Sequence, residues 1–165
     1  MRRYQISVAG LLRGSGKRQT FEIVGTLSEL FVTSSRVTPE EPIAVAGDVE
    51  AVGEGLLVDV RISTRFEGEC VRCLEPVSGK LDLEARELFR EGETSDEAYG
   101  FTGEVVDLSE LIRDQVVMAL PAVPLCRPEC LGLCQHCGKN LNLGACGCDS
   151  DLGDLRWAGL DKLDS

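Results

Sequence analysis

The clearest pattern along the chain is an alternation of apolar and polar residues between positions 56 and 67. One face of this stretch carries Leu56, Val58, Val60, Ile62 and Phe66. The opposite face carries charged and hydroxyl side chains. Period-two alternation of this kind predicts a strand with one buried and one solvated face. Weaker alternation over residues 43–52 and 80–86 predicts further strands before and after it.

A different periodicity follows in the second half of the chain. Apolar residues recur at intervals of three and four over residues 108–120, which predicts one main helix that packs one face on the sheet. Asp107 and Glu110 have the spacing of a capping box at the start of this helix. Pro121 ends it, because the residue before a proline is disfavoured in helical conformation.

The remaining segments give weaker patterns. Residues 4–12 and 20–24 are two short extended pieces joined by a basic loop, which predicts an N-terminal hairpin. Residues 91–104 contain five acids, three glycines and no base, a composition typical of a mobile loop. Leucines spaced along residues 152–163 predict a short terminal helix that bears Trp157 and docks on the rest of the protein.

Length and composition limit the class of protein. The chain has 165 residues, of which 43% are hydrophobic, and this is enough to bury the core of one domain of ordinary size. No apolar run approaches the roughly 20 residues that cross a bilayer, and the first residues lack the features of a secretory signal. We therefore expect a cytoplasmic protein without membrane contact. In that reducing compartment, eight cysteines favour metal ligation over disulfides.

The cysteines are concentrated in two short segments. Six of the eight lie in CRPECLGLCQHCGKNLNLGACGC at residues 126–148, and Cys70 and Cys73 lie in ECVRCLEP at residues 69–76. Cysteines at such short intervals place two sulfur atoms where they can bind one metal ion. Eight thiols divide evenly into two four-sulfur sites, and zinc is the metal that such sites favour.

Distance along the chain predicts which cysteines share a zinc ion. A loop of only eight residues separates the two pairs of what we term site two: Cys134, Cys137, Cys146 and Cys148. Site one then takes the remaining four: Cys70, Cys73, Cys126 and Cys130. Gly138 and Gly147 suit site two because glycine permits the positive φ that turns backbone amides toward sulfur. Site one would clamp a strand tip to the segment that follows the helix.

These elements combine into an α+β fold. We expect an antiparallel β-sheet or partial barrel, one main packing helix and a C-terminal zinc-knuckle segment. Residues 1–125 would form the β-rich domain, and residues 126–165 would form the cysteine-rich segment with the terminal helix. Because a structural zinc ion contributes roughly 10–16 kcal/mol of apparent binding free energy, the shared site would hold the two parts together.

The net charge of −11 is unevenly distributed. Residues 1–20 carry five bases and no acid, which leaves −16 for residues 21–165. Non-specific nucleic-acid binding depends on Lys and Arg that neutralise phosphates, so the acidic body favours a basic partner. An acidic surface that serves solubility alone is an equally good explanation. Direct RNA binding would instead use the basic residues Arg2, Arg3, Arg13, Lys17, Arg18 and Lys139.

The sequence contains no arrangement typical of an active site. It has no nucleophile elbow, no phosphate-binding glycine loop and no set of histidine and carboxylate metal ligands. His136 lies between two predicted ligands, and four sulfur atoms leave no open position on zinc for water. A redox dithiol of the thioredoxin kind would need a βαβ pattern, which is missing here. We therefore predict a non-enzymatic protein without a small-molecule substrate.

Four stretches resemble the YceD family of large ribosomal RNA subunit accumulation proteins. They are ECVRCLEP at 69–76, VVDLSELIRDQVVMALPAVPLC at 105–126, CLGLCQHCGKNLN at 130–142 and RWAGLDKL at 156–163. Leu155 departs from the family, which often has proline at this position. The resemblance implies a bacterial or organellar non-enzymatic factor for accumulation, processing or stability of large-subunit ribosomal RNA. It also implies a gene that neighbours that of a small, basic ribosomal protein.

The resemblance and the acidic body together favour one hypothesis about partners. The protein would bind a basic large-subunit ribosomal protein or a large-subunit assembly intermediate, and ribosomal RNA levels would depend on it indirectly. The alternative is a zinc-knuckle protein that binds ribosomal RNA directly. A third interpretation is a purely structural zinc module within a larger complex.

Overall fold

The fold is taken from a computed structural model of the protein. It describes residues 4–14, 17–53, 55–92, 94–95 and 97–148. Three predicted features lie outside the described residues: the basic residues Arg2 and Arg3, and the terminal helix over residues 152–163 with Trp157.

Strands dominate the described part of the chain. In order, its elements are β1 (Gln5–Ser7), α1 (Ala9–Leu12), β2 (Arg18–Gly25), β3 (Ser35–Arg36), β4 (Ile43–Val52), β5 (Gly55–Glu69), β6 (Pro76–Glu91), β7 (Tyr99–Phe101), β8 (Val105–Asp107), α2 (Ser109–Ala119) and a 3₁₀ turn (Leu141–Leu143). Within these described residues, neither α-helix is long and apolar enough to cross a bilayer.

The main sheet is organised around two long antiparallel strands, β5 and β6. Their register runs from Leu56 opposite Phe89 to Glu69 opposite Pro76. The sheet has the order β2-β4-β5-β6-β7, and β3 pairs with β5 beyond the end of β4. A separate two-stranded sheet pairs β1 with β8. No pairing joins β2 to β7 among the described residues, so the partial barrel stays a prediction.

The two faces of β5 have opposite environments, as the alternation predicts. Four apolar residues of the predicted buried face are at most 4% exposed: Leu56, Val58, Val60 and Ile62. Phe66, the fifth, is only half-buried. On the other face, Arg61 and Glu84 form a cross-strand ion pair at 2.7 Å. Burial of apolar area stabilises such a sheet far more than an exposed ion pair, which contributes about 0.2–1 kcal/mol. The prediction of an α+β protein built mainly on an antiparallel sheet is confirmed.

Helix α2 lies one residue inside its predicted bounds at each end. Its buried face carries Leu111, Ile112 and Val116. The Asp107 carboxylate accepts a hydrogen bond from the Ser109 amide at 3.0 Å, so it satisfies a donor of the first turn. After the helix, the chain is extended at Leu120.

Two predictions for the edges of the sheet are wrong. Strand β1 does not form a hairpin with β2, because helix α1 turns the chain between them and β1 pairs with β8. Part of the predicted loop over residues 91–104 is ordered, because Tyr99–Phe101 adds to the sheet as β7, parallel to β6. The Tyr99 ring stacks on Phe89 at 5.2 Å between centroids, and its hydroxyl donates to Asp114 at 2.9 Å. The packing of these aromatic side chains favours a strand there more strongly than the acidic composition favours a loop.

Candidate metal centres

Site one brings together cysteines from distant parts of the chain. Cys70 and Cys73 lie in the turn between β5 and β6, where the sequence places them, and Cys126 and Cys130 lie in the segment that follows α2. The four sulfur atoms lie within 4.8 Å of one another. The Sγ–Sγ distances are 3.8 Å between Cys70 and Cys130 and 3.6 Å between Cys73 and Cys126. Three of the four side chains are buried.

These distances fit metal coordination. A tetrahedral zinc ion with Zn–S bonds of about 2.3 Å separates its sulfur ligands by about 3.8 Å. A disulfide would hold two sulfur atoms at about 2.05 Å, and all eight cysteines are free. The donor set and its spacing could therefore hold one metal ion, and they are compatible with zinc.

The first two cysteines of site one lie in a tight turn. The Cys70 amide donates to the Glu75 carbonyl at 2.8 Å, and the Leu74 amide donates back to the Cys70 carbonyl at 2.9 Å. Leu74 has a φ of 61°, a left-handed conformation that is costly for any residue with a Cβ atom. We refer to residues 70–75 as the first knuckle.

Site two repeats this turn. The Cys134 amide donates to the Lys139 carbonyl at 2.8 Å, and the Gly138 amide donates to the Cys134 carbonyl at 2.9 Å. Gly138 has a φ of 72°, which confirms the predicted positive φ after the second thiol. Gly147 does not adopt a positive φ, so that prediction is wrong, and Gly144, two residues before Cys146, has a φ of 125° instead. We refer to residues 134–139 as the second knuckle.

Backbone amides point at the first sulfur of each knuckle and favour its charged form. Burial acts to raise the pKa of Cys70, but hydrogen bonds from the amides of Cys126 and Arg72 outweigh it and lower that pKa to about 6. The amide of Cys137 is the main cause that lowers the pKa of Cys134 to about 6. The thiolate is the form that ligates metal, so the surrounding backbone amides prepare both positions for that role.

Site two is local in sequence and more accessible. Its four sulfur atoms, those of Cys134, Cys137, Cys146 and Cys148, lie within 4.8 Å of one another. None of the four side chains is buried. His136 is exposed, and neither four-residue cluster of candidate ligands contains it. The structure thus groups the cysteines in the two sets that sequence distance predicts, while their role as ligands stays a prediction.

Asn142 supports site one and is not among the residues that the sequence predicts. Its Nδ2 donates to the Cys130 sulfur at 3.3 Å, and its Oδ1 accepts from the Leu131 amide at 2.9 Å. Asn140 orients it by accepting from the same Nδ2 at 2.8 Å. The hydrogen bond from Asn142 to the Cys130 sulfur is the main cause that lowers the pKa of Cys130. Asparagine is not a usual zinc ligand, so ligand spacing gives no signal for it.

Three of the four described residues of the predicted RNA-binding set are engaged within the chain. Arg13 pairs with Glu104 at 2.6 Å, and Arg18 pairs with Asp48 at 2.7 Å. Lys139, in the second knuckle, donates from Nζ to the Ala145 carbonyl at 2.7 Å. Lys17 is exposed beside Arg18 at the start of β2. RNA contact by these residues stays a prediction.

A comparison with protein-family models finds a match over residues 58–164. Its description is large ribosomal RNA subunit accumulation protein YceD. The match includes both candidate metal sites, strand β6 and helix α2. No solved structure matches the chain.

Curated relatives come from bacteria and from a plant. A protein of Mycobacterium tuberculosis is 40% identical over 122 residues, which cover 70% of this chain and 58% of the relative. A protein of Mycobacterium leprae is 35% identical over 129 residues, which cover 74% of this chain and 59% of the relative. A chloroplastic Arabidopsis thaliana protein, named a YCED homolog for large ribosomal RNA subunit accumulation, is 34% identical over 58 residues, 35% of this chain and 18% of its own. The chain thus spans little more than half the length of the mycobacterial relatives.

Proposed function

Because the chain belongs to the YceD family of large ribosomal RNA subunit accumulation proteins, we propose that it is a non-enzymatic ribosome-biogenesis factor of the cytoplasm. It binds a basic large-subunit ribosomal protein, or an assembly intermediate that displays one, and so supports the accumulation of large-subunit ribosomal RNA. The family description and the name of the Arabidopsis relative support the ribosomal role. The partner and the mechanism are our proposal.

The net negative charge of the protein supports the proposal of a basic partner. Six arginines of the described chain already form ion pairs with carboxylates: Arg13, Arg18, Arg36, Arg61, Arg86 and Arg90. Their positive charge is therefore compensated within the protein, and the whole chain keeps a net charge of −11. A surface of this kind repels phosphate and attracts Lys and Arg side chains.

The two zinc ions would be structural: they would stabilise the fold and would not take part in catalysis. Four thiolates close the coordination shell of each ion and leave no position for a substrate or a reactive water molecule. Site one would join the β-rich part, residues 1–125, to the cysteine-rich part, residues 126–165. Site two would stabilise the second part locally. This arrangement supports a factor that presents a binding surface and does no chemistry.

Chelation is expected to remove the two zinc ions in a fixed order. Native mass spectrometry should find two per chain, and a chelator should release the ion of site two first because none of its cysteines is buried. The release is followed with a colorimetric zinc indicator. Cys137→Ser should contain one zinc ion and lack the fast phase. A fast phase that persists in this variant would contradict the assignment.

Asn142→Asp is expected to weaken zinc binding at site one by about 10- to 100-fold, as outer-shell substitutions commonly do. The change replaces the Nδ2 donor, 3.3 Å from the Cys130 sulfur, with a carboxylate oxygen that repels the thiolate. Competition with a zinc chelator of known affinity measures the effect. Leu143→Ala serves as the control, since this side chain is 80% exposed and next in sequence. Equal affinities for both variants would contradict the role of Asn142.

The proposed function is tested by direct binding of the zinc-loaded chain. Purified basic proteins of the large subunit and large-subunit ribosomal RNA fragments are compared as partners over a range of salt concentrations. We expect protein binding that weakens with salt and no specific RNA binding. Binding to RNA alone, lost when Arg2, Arg3, Lys17 and Arg18 are changed to Gln, would replace our proposal with the direct RNA-binding alternative.

A further inference from the structure

A broad groove lies beside the first knuckle. Residues 29–40 form one wall, and the ends of β5 and β6 with the knuckle between them form the other. The groove has a volume of about 1140 Å³. Small-molecule sites usually measure about 300–1,000 Å³ and bury most of their ligand. An open groove of this size suits a segment of polypeptide better. We call it the knuckle groove.

Exposed apolar side chains line the knuckle groove. Phe31 is 64% exposed on one wall, and Leu74 and Val71 are 59% and 40% exposed on the other. Single exposed apolar residues are ordinary on a protein surface. Three that line the same concave surface offer apolar contacts to a partner from both sides.

The charge of the same groove is negative. Arg36 is the single base among the described residues that line it, and Glu67 pairs with it at 2.8 Å. Three further carboxylates on the walls are exposed: Glu29, Glu40 and Glu69. An apolar surface with a net charge of −3 complements a segment that has apolar residues and an excess of Lys and Arg.

The backbone gives independent support. Two residues other than glycine have a positive φ in the described chain, Glu29 and Leu74, each at 61°, and both line the knuckle groove. The second knuckle has Gly138 at the position equivalent to Leu74, so the same turn forms without a side chain. A leucine that is strained and also mostly exposed stabilises neither the turn nor the core. Such strain is often retained where the side chain has a functional role.

We propose that the knuckle groove is where the protein binds its basic partner, through an amphipathic segment rich in Lys and Arg. Apolar residues of that segment contact Phe31, Val71 and Leu74, and its basic residues lie beside the three exposed carboxylates. This inference rests on the proposed function and assigns its binding surface.

Binding is measured by fluorescence anisotropy on the full zinc-loaded chain. The probes are overlapping synthetic peptides that cover the basic proteins of the large subunit, the intact proteins, and a scrambled version of each peptide that binds. Leu74→Gly keeps the left-handed turn and removes only the side chain, so it should fold at least as well as the native chain. We expect it to lower affinity about 30-fold, the effect of losing an interface hot spot.

Matched variants separate the groove from general surface effects. Met118→Ala removes an apolar side chain that is 73% exposed outside the groove and should leave affinity unchanged. Glu69→Gln should weaken binding several-fold and reduce its salt dependence, whereas Glu22→Gln, on the exposed face of β2, should not. Phe31→Ser tests the opposite wall and should weaken binding about as much as Leu74→Gly.

The possible outcomes distinguish this inference from the proposed function. Suppose that a basic large-subunit protein binds but neither Leu74→Gly nor Phe31→Ser changes its affinity. The assignment of the groove as the binding surface is then wrong, and the proposed function stands. Scrambled peptides that bind as well as the native ones also overturn the groove, because charge alone would then explain binding. If only ribosomal RNA binds, the proposed function and the groove fail together.

Discussion

Cys70→Ser is expected to lower the free energy of unfolding by at least about 4 kcal/mol, because loss of a structural metal is among the few single changes with so large an effect. The variant removes one of four thiolates from site one. The buried thiols of Cys73 and Cys130, with Cys126, would then be left without the metal ion that we propose for site one. Denaturant unfolding under reducing conditions with zinc present measures the change, and zinc content should fall from two ions to one.

Cys137→Ser is the matched control, because it removes a thiolate from the local site. It should also lose one zinc ion, yet destabilise the protein much less, since site two closes a short loop and joins no distant elements. In this variant, hydrogen exchange should show that protection is lost around residues 134–148. In Cys70→Ser, protection should also be lost at the tip of β5 and β6. Equal destabilisation by the two variants would contradict the role of site one as a clamp.

The length of two strands explains how site one reaches the segment after the helix. Strands β5 and β6 have 15 and 16 residues, whereas strands usually have 3–10. Strand β4 pairs with β5 only as far as Ser63, and the rest of β5 pairs with β6 and with the short strand β3. The two strands therefore extend past β4 as an arm that carries the first knuckle. The candidate metal site one and the knuckle groove are both at its end.

The sequence predicts the centre of the fold well because the signals there are local. The alternation over β5 follows from a sheet with one buried face, and α2 follows from the spacing of its buried residues. The grouping of the cysteines also follows from local distance, since closing the short loop of site two leaves one partner set for Cys70. In each case, residues that are close in sequence determine the structure that forms.

The parts that the sequence fails to predict depend on contacts between distant residues. Strand β7 forms because the ring of Tyr99 stacks on Phe89 and its hydroxyl binds Asp114 on α2, and acidic neighbours hide this tendency. Asn142 acquires its role only when the chain returns to Cys130. The left-handed conformation of Leu74 is also unexpected, because leucine is a poor residue for such a turn.

Phe89→Ala is expected to cost about 3–5 kcal/mol of unfolding free energy, the range for truncating a phenylalanine in a core. Its side chain is fully buried and stacks on Tyr99, so the variant leaves a cavity where β6 meets β7. Because about 1 kcal/mol shifts the midpoint by about 2–4 °C in a chain of this size, thermal unfolding should show a fall of about 10 °C.

Phe31→Ala makes the same truncation at a side chain that is 64% exposed and should change stability by no more than about 0.5 kcal/mol. The two phenylalanines thus separate the two uses of apolar surface in this protein. Phe89 stabilises the sheet, whereas Phe31 is expected to contribute little to folding and lines the knuckle groove. A loss of stability at Phe31 as large as that at Phe89 would mean that this wall belongs to the core, and the groove would then lack the free apolar surface that a partner needs.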